Sequence, residues 1–286
     1  MKSGFAVIVG RSNVGKSTLM NSLVGTKVSI ITPKPQTTRH PVQGILTLPG
    51  EAQVVFVDTP GVMQKAKDPL TKRLLQYVQQ SLKGIDVVLY VVDATRSIGN
   101  EEKKVLQMLE HVTVPKLLVI NKMDHEDARN FVDFYRDLAD KFDGKVEVSA
   151  STGSNLDLVR SWIVERLPES EFMYPEYTIS NMSKEEQLAE IVREKLFLRL
   201  REEVPYSVHV VVDEITKRGS GTMYVHGTIY TSDERYKRMI IGAGGVGMKE
   251  IGQSTRRELE TITGKKFYLD LTVEVDKNWV AHLLLD

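Results

Sequence analysis

Gly10-Arg11-Ser12-Asn13-Val14-Gly15-Lys16-Ser17 has the spacing G-x-x-x-x-G-K-[ST]. That spacing does phosphate chemistry when a strand precedes it and a helix follows. Gly10 and Gly15 let the backbone wrap phosphate oxygens closely, with amide N–H groups facing the anion. A helix opening at Lys16 adds the positive end of its dipole. Lys16 is expected to bridge the β- and γ-phosphates and Ser17 to ligate Mg²⁺. Arg11, Ser12, Asn13, Val14 and Thr18 complete the expected lining. Further on, Asp58-Thr59-Pro60-Gly61 follows an apolar run. Asp58 can hold the metal directly or through water, and the Gly61 amide can sense the γ-phosphate.

Asn121-Lys122-Met123-Asp124 is the element expected to choose the base. An Asp124 carboxylate accepts hydrogen bonds from guanine N1–H and the 2-amino group. Adenine offers neither donor there, which leaves a buried charge unpaired and makes the site selective. Lys122 is expected to cover the ring plane and Asn121 to tie loops together. Ser149-Ala150-Ser151 can present the Ala150 amide to guanine O6. Each piece alone is weak. Four of them in this order, each after an apolar run, make coincidence remote.

The elements that must position these groups are legible as short runs rich in Val, Ile and Leu. They are Ala6 to Val9, Val54 to Val57, Val87 to Val92, Lys116 to Ile120 and Lys145 to Val148. Such runs, each followed by a turn, read as buried parallel strands. Helical stretches such as Lys16 to Val24, Leu70 to Leu82 and Ala128 to Lys141 lie between them, and a last helix, Asn155 to Leu167, closes the unit. The expected architecture is an α/β domain over residues 1–168 with a mostly parallel sheet. All four motifs then fall at the carboxyl edge of the strands, where ligands of open α/β sheets bind. Residues 169–182 read as a linker and residues 183–286 as an α+β domain. In that domain Ser183-Lys184-Glu185-Glu186 matches a capping box. A helix is expected from there to about Glu203, with Leu188, Ile191, Val192 and Leu196 on its apolar stripe. Strands follow over Ser207 to Ile215 and Met223 to Tyr230, joined by the turn Lys217-Arg218-Gly219-Ser220-Gly221. A helix over Glu234 to Ile241, a glycine loop, a helix over Met248 to Thr263 and a strand over Phe267 to Val275 complete the pattern.

Composition narrows the chemistry. The 286 residues contain 38 basic and 38 acidic side chains, so any surface for nucleic acid must be local. There is no cysteine, which excludes disulfides, thiolate zinc sites and a cysteine nucleophile and fits a reducing cytoplasm. The amino-terminal apolar run is too short for a signal-peptide core, and no run approaches the roughly 20 residues of a membrane helix.

The order of the four nucleotide motifs resembles the translation-factor-related GTPases. That resemblance makes Gln36-Thr37-Thr38-Arg39 the first switch, with Thr38, or Thr37 as the second choice, closing onto Mg²⁺ in the triphosphate state. It makes Lys16, Thr38, Gly61 and Asn13 the catalytic set, with Ser17, Thr38 and Asp58 as metal ligands. Many relatives carry a glutamine after the Asp-Thr-Pro-Gly element, whereas here Val62 stands there, so slow intrinsic hydrolysis is expected. Asn13 resembles the asparagine that, in some GTPases, helps hold a potassium ion near the phosphates. The carboxyl-terminal element order resembles the type II KH fold, with Ile241-Gly242-Ala243-Gly244-Gly245 providing its G-x-x-G loop. KH loops clamp a single-stranded backbone, which makes Gly242, Ala243, Gly244, Gly245, Arg235, Lys237, Arg238 and Lys249 the expected RNA-binding residues.

One GTPase domain followed by one KH domain is similar to the Era-type GTPases. Pro35-Gln36-Thr37-Thr38-Arg39-His40 and Arg201-Glu202-Glu203-Val204-Pro205-Tyr206-Ser207 add to the likeness. The resemblance implies GTP and GDP as ligands and the single-stranded 3′ end of small-subunit ribosomal RNA as partner. It implies assistance in small ribosomal subunit maturation by a cytoplasmic monomer, and it leaves open a peripheral contact with the inner face of the cell membrane. Two positions depart from the pattern: Ala243 stands where lysine is usual, and Glu274 where a basic residue is common. The competing reading is a GTPase whose second domain docks a protein or membrane surface. A metabolic P-loop kinase gives no reason for Asn121 to Asp124 or for the KH-like tail.

Overall fold

The computed structural model of the chain describes residues 1–63, 69–219 and 221–282. Contacts divide it into two units, Met1–Ile31 with Pro35–Asn181, and Thr32–Lys34 with Met182–Asp286.

In chain order the first unit contains β1 (Lys2–Val9), α1 (Lys16–Val24), β2 (Val42–Leu48), β3 (Ala52–Asp58), α2 (Pro69–Ser81), β4 (Val87–Asp93) and α3 (Asn100–Leu109). It continues with β5 (Lys116–Asn121), α4 (Val132–Arg136), β6 (Gly144–Glu147) and α5 (Leu156–Arg166). The six strands form one sheet in the order β2-β3-β1-β4-β5-β6. All neighbours run parallel except β2, which pairs antiparallel to β3. Every residue of β3 and β4 is buried, which is why Val54 to Val57 and Val87 to Val92 read as unbroken apolar runs instead of alternating ones.

Three elements of this unit differ from the expectation. β2 is an additional edge strand whose Gly44 and Gln43 dilute its apolar pattern. Its open edge is covered by the chain itself: the Ile45 amide donates to the Ile179 carbonyl at 3.0 Å, and Gly44 bridges to Ser180. Residues 169–181, expected as a linker, therefore run against the first unit, and Gln53 Oε1 accepts the amides of Met173 and Tyr174. Covering an edge in this way blocks pairing with other chains. α3 is a further helix, its start closed by the Glu102 carboxylate accepting the Gly99 amide at 2.8 Å. The stretch from Ala128 to Lys141 is not one helix but 3₁₀ turns at Glu126–Asn130 and Ala139–Lys141 flanking the single short helix α4. Asn130, Phe131, Val132, Asp133 and Phe134 are all modest helix formers, and only Ala128, Val132 and Tyr135 are buried to hold the segment.

The second unit contains α6 (Lys184–Arg199), β7 (Val208–Lys217), β8 (Met223–Thr231), α7 (Glu234–Ile241), α8 (Val246–Thr263), β9 (Phe267–Val275) and α9 (Trp279–His282). Its sheet has the order β7-β8-β9, with β7 antiparallel and β9 parallel to β8. Ser183 caps α6 as the sequence predicts: its hydroxyl accepts the Glu186 amide at 3.1 Å, and Glu186 accepts the Ser183 amide at 2.7 Å. α6 stops at Arg199, short of the expected Glu203, because Leu200 turns to extended backbone and a 3₁₀ turn containing Pro205 follows. Its buried face carries Arg193 and Glu194 beside Leu188, Val192, Leu196 and Phe197, and Lys195 pairs with both Glu194 and Glu258 of α8. Ile229, Ile240, Ile251 and Leu259 complete this unit's core. Ser220 of the expected turn between β7 and β8 lies outside the described residues. Among the described residues no helix is long and apolar enough to cross a membrane.

Candidate nucleotide and RNA sites

β1 ends at Val9 and α1 begins at Lys16, so the intervening loop is the strand-to-helix connection that the phosphate motif requires. Gly15 sits at φ 96, a left-handed conformation that a side chain resists. A Cβ on Gly61 would lie 2.5 Å from the Ser12 backbone, so only glycine lets the second motif approach the loop. Lys16 is buried and its Nζ donates to the Arg11 carbonyl at 2.9 Å. Burial pushes its pKa down to about 8, and Asp58 offsets only part of that. Arg11 turns its guanidinium away from the loop onto the buried Glu102, 3.0 Å from Oε1.

The three expected metal ligands converge. Ser17 Oγ donates to Asp58 Oδ2 at 2.6 Å, Thr38 Oγ1 donates to the same oxygen at 3.3 Å, and the two hydroxyls are 3.2 Å apart. Asp58 is fully buried; that burial raises its pKa, opposed by Lys16 and by the hydroxyls of Ser17, Ser29 and Thr38. Its Oδ1 is buried without a hydrogen-bond partner among the described residues. An all-oxygen set with one orphaned carboxylate oxygen suits a hard ion such as Mg²⁺. Ser29, 3.0 Å from Asp58, was not legible as part of this group. It lies in an irregular loop, where Asn21 Oδ1 accepts its amide at 2.9 Å.

At the end of β5, Asn121 Nδ2 donates to the Val14 carbonyl at 2.8 Å and ties the base-binding element to the phosphate loop. Asn121 Oδ1 accepts the Ala150 amide at 2.9 Å. The amide expected to face guanine O6 is thus engaged here, and an O6 contact needs that bond shared. Lys122, at φ 67, donates to the Asn13 carbonyl at 2.9 Å and to Asp93 Oδ2 at 2.6 Å. Burial opposes the ionisation of Asp93, but Lys122 and Thr95 outweigh it and hold the carboxyl below its usual range. Asp93 is a second residue that the motif reading missed, although its place at the end of β4 is the signal. Asp124 is exposed, and hydrogen bonding from Ser149 foremost keeps it ionised; Ser151 Oγ donates to it at 3.1 Å. Thr59 is not turned to the site: its hydroxyl donates to the Ile8 carbonyl at 2.7 Å. Val62 is buried, and its amide donates to the Gly10 carbonyl at 3.1 Å.

In the second unit α7 ends at Ile241, Gly242 caps it, residues 243–245 make one 3₁₀ turn, and α8 starts at Val246, two residues before the expected Met248. Gly244 and Gly245 have φ of 58 and 77 with open space where a Cβ would sit. Ala243, Gly244, Arg235, Arg238 and Lys249 are exposed and Lys237 is half-buried. The α7–α8 junction also depends on Gly247, where a Cβ would meet the Ile240 carbonyl at 2.2 Å.

A glycine loop between β1 and α1, three converging oxygen side chains and the Asn121 to Asp124 element along the edge of a mostly parallel sheet, followed by two strands and a helix–glycine loop–helix, are the arrangement of a P-loop GTPase joined to a KH domain. The family model described as 50S ribosome-binding GTPase matches residues 5–122, and the KH domain model matches residues 203–280. GTPase Era of Halothermothrix orenii is 40% identical over 97% of this chain and 94% of its own length. GTPase Era of Carboxydothermus hydrogenoformans is 42% identical over 97% and 94%. Two crystal structures superpose with a TM-score of 0.91 over 98% of this chain and 95% of theirs. One is an Aquifex aeolicus Era variant bound to GDP and AlF₄⁻, 39% identical. The other is Era with MgGDPNP and nucleotides 1506–1542 of 16S ribosomal RNA, 40% identical. The chain belongs to the GTPase Era family, and it is a GTPase.

Proposed function

We propose that this GTPase binds the 3′ end of small-subunit ribosomal RNA through its KH domain and assists maturation of the small ribosomal subunit. The observation that carries the reading is the loop at Gly242 to Gly245. Gly244 and Gly245, both left-handed, leave open space beside exposed cations, as close approach of a nucleic-acid backbone requires, and an Era relative binds 16S RNA. Lys16 holds the β- and γ-phosphates, and Asp124 selects guanine with Lys122 against the base. Ser17, Thr38 and Asp58 would hold Mg²⁺, which when bound neutralises phosphate charge. The Val62 side chain offers no polar atom to orient water, so that task falls to Thr38 and the Gly61 backbone and hydrolysis is slow.

The test is binding of a 3′-terminal small-subunit RNA fragment with GTP or GDP present, for the parent and for a variant with Gly244→Asp and Gly245→Asp. The variant should lose RNA binding and keep its GTP affinity. Equal RNA binding by both proteins would shift the reading to a domain that docks protein or a membrane surface. By resemblance to GTPases whose phosphate-loop asparagine helps hold potassium, we propose that Asn13 does so here beside the phosphates. Hydrolysis should then be faster in potassium than in sodium at equal ionic strength, and Asn13→Ala should erase the difference; equal parental rates would leave Asn13 a loop residue.

A further inference from the structure

Gln36 stands two residues before Thr38, in the left-handed region at φ 57. A non-glycine residue is strained there and persists only where its surroundings hold it. What holds it is its side chain. Nε2 donates to Thr71 Oγ1 of α2 at 3.1 Å and lies 3.2 Å from Met63 Sδ. Met63 follows the Gly61-Val62 turn, and its carbonyl accepts from Lys104 of α3 at 3.3 Å. A small cleft lined by Val62, Met63, Thr71, Leu74 and Lys104 opens at this place. One amide therefore spans from the segment that carries Thr38 to both the turn after Gly61 and the first turns of α2.

The geometry points to Gln36 as a positioning residue for GTP hydrolysis: a latch that holds the Thr38 segment against the turn after Gly61 and α2. It acts through Thr38 and Gly61 and does not itself touch the nucleotide. The inference rests on the reading of Thr38 as the group that closes on the triphosphate. Where that closure is made, the latch stabilises it; where the γ-phosphate is gone, closure has no ligand to serve and the latch loses its effect. Gln36 then contributes to discrimination between GTP and GDP, not to nucleotide affinity in general.

Gln36→Met keeps chain length and removes the donor; Thr71→Val keeps shape and removes the acceptor. Dissociation constants for a non-hydrolysable GTP analogue and for GDP are measured for the parent, both single variants, the double variant and Thr38→Ala. Each single variant should bind the analogue roughly three- to tenfold more weakly, the worth of one neutral hydrogen bond, with GDP affinity unchanged as the check on folding. The double variant should be no worse than the worse single, because both changes break one bond. Equal losses for GDP and the analogue, or additive losses in the double variant, overturn the latch. If Thr38→Ala leaves the preference for the analogue intact, the reading of Thr38 fails instead, and the two failures are told apart.

Discussion

Lys16 is a buried cation whose neighbours are backbone and, behind it, Asp58, and its pKa is pushed down to about 8 by that burial. A phosphate placed beside it favours the charged form, so nucleotide binding near pH 8 should draw a proton from solution. Calorimetry in two buffers of different ionisation enthalpy measures that uptake, which should vanish near ~pH 6, where the lysine is already charged. No uptake at pH ~8 would mean that Lys16 is fully charged before the nucleotide arrives. The linkage sign for folding is the opposite of that for an ion-paired lysine. The folded state binds fewer protons than the unfolded one between about 8 and the ordinary lysine value of 10.5, so the stability of the nucleotide-free protein rises with pH across that window. Asp124 makes the second prediction at this scale. Asp124→Asn keeps the shape but presents a donor, so GTP affinity should fall on the order of a hundredfold, since hydrogen bonds to a charged group are the strong ones, and xanthosine triphosphate should gain. Unchanged affinities for both nucleotides would remove Asp124 from base recognition. The motif residues were legible because each demands a residue type at a fixed spacing. Ser29 and Asp93 were not, because a serine in a loop and an aspartate ending a strand acquire meaning only from the distances to Asp58 and Lys122 that folding creates.

Among the elements, β4, β5 and the helices α1 and α7 were legible nearly to the residue, because burial on both faces or a strong terminus forces a pattern, whereas β1 begins at Lys2, four residues before the apolar run at Ala6. β2 was hidden for the reverse reason. It is an edge strand with a glycine at Gly44, and it is stabilised from outside its own sequence by Ile179 and Ser180. The covering segment was misread for the same cause. Its prolines and acids make it look like a linker, yet Gln53 and β2 give its backbone hydrogen-bond partners. The stretch around α4 fails as a helix because its residues favour turns about as much as helix, and a pattern of apolar positions alone cannot weigh that. In the second unit the capping box was decisive. Two reciprocal bonds between Ser183 and Glu186 set where α6 begins, whereas its end is set by Leu200 and Pro205, which carry no comparably sharp signal.

At the scale of the whole molecule the charges cancel, 38 against 38, so no long-range field draws the protein to RNA and affinity must come from a few local phosphate contacts. The loop that would make them has an uncharged tip: Ala243 is exposed between left-handed glycines, and exposed cations stand on the flanking helices at Arg235, Arg238 and Lys249. Ala243→Lys should therefore tighten RNA binding and steepen its salt dependence. One further phosphate contact on a single strand changes the slope of log K against log salt by about 0.7. GTP affinity should stay where it is, because the nucleotide groups belong to the other unit and an added charge on an exposed loop is screened within roughly 10 Å at ordinary ionic strength. The measurement is the RNA dissociation constant of parent and variant across a salt series, with GTP affinity determined in parallel. A variant that binds RNA more tightly with an unchanged slope would show that the new lysine works by some route other than a phosphate. A variant that binds no more tightly at any salt would show that the backbone of the RNA does not pass residue 243.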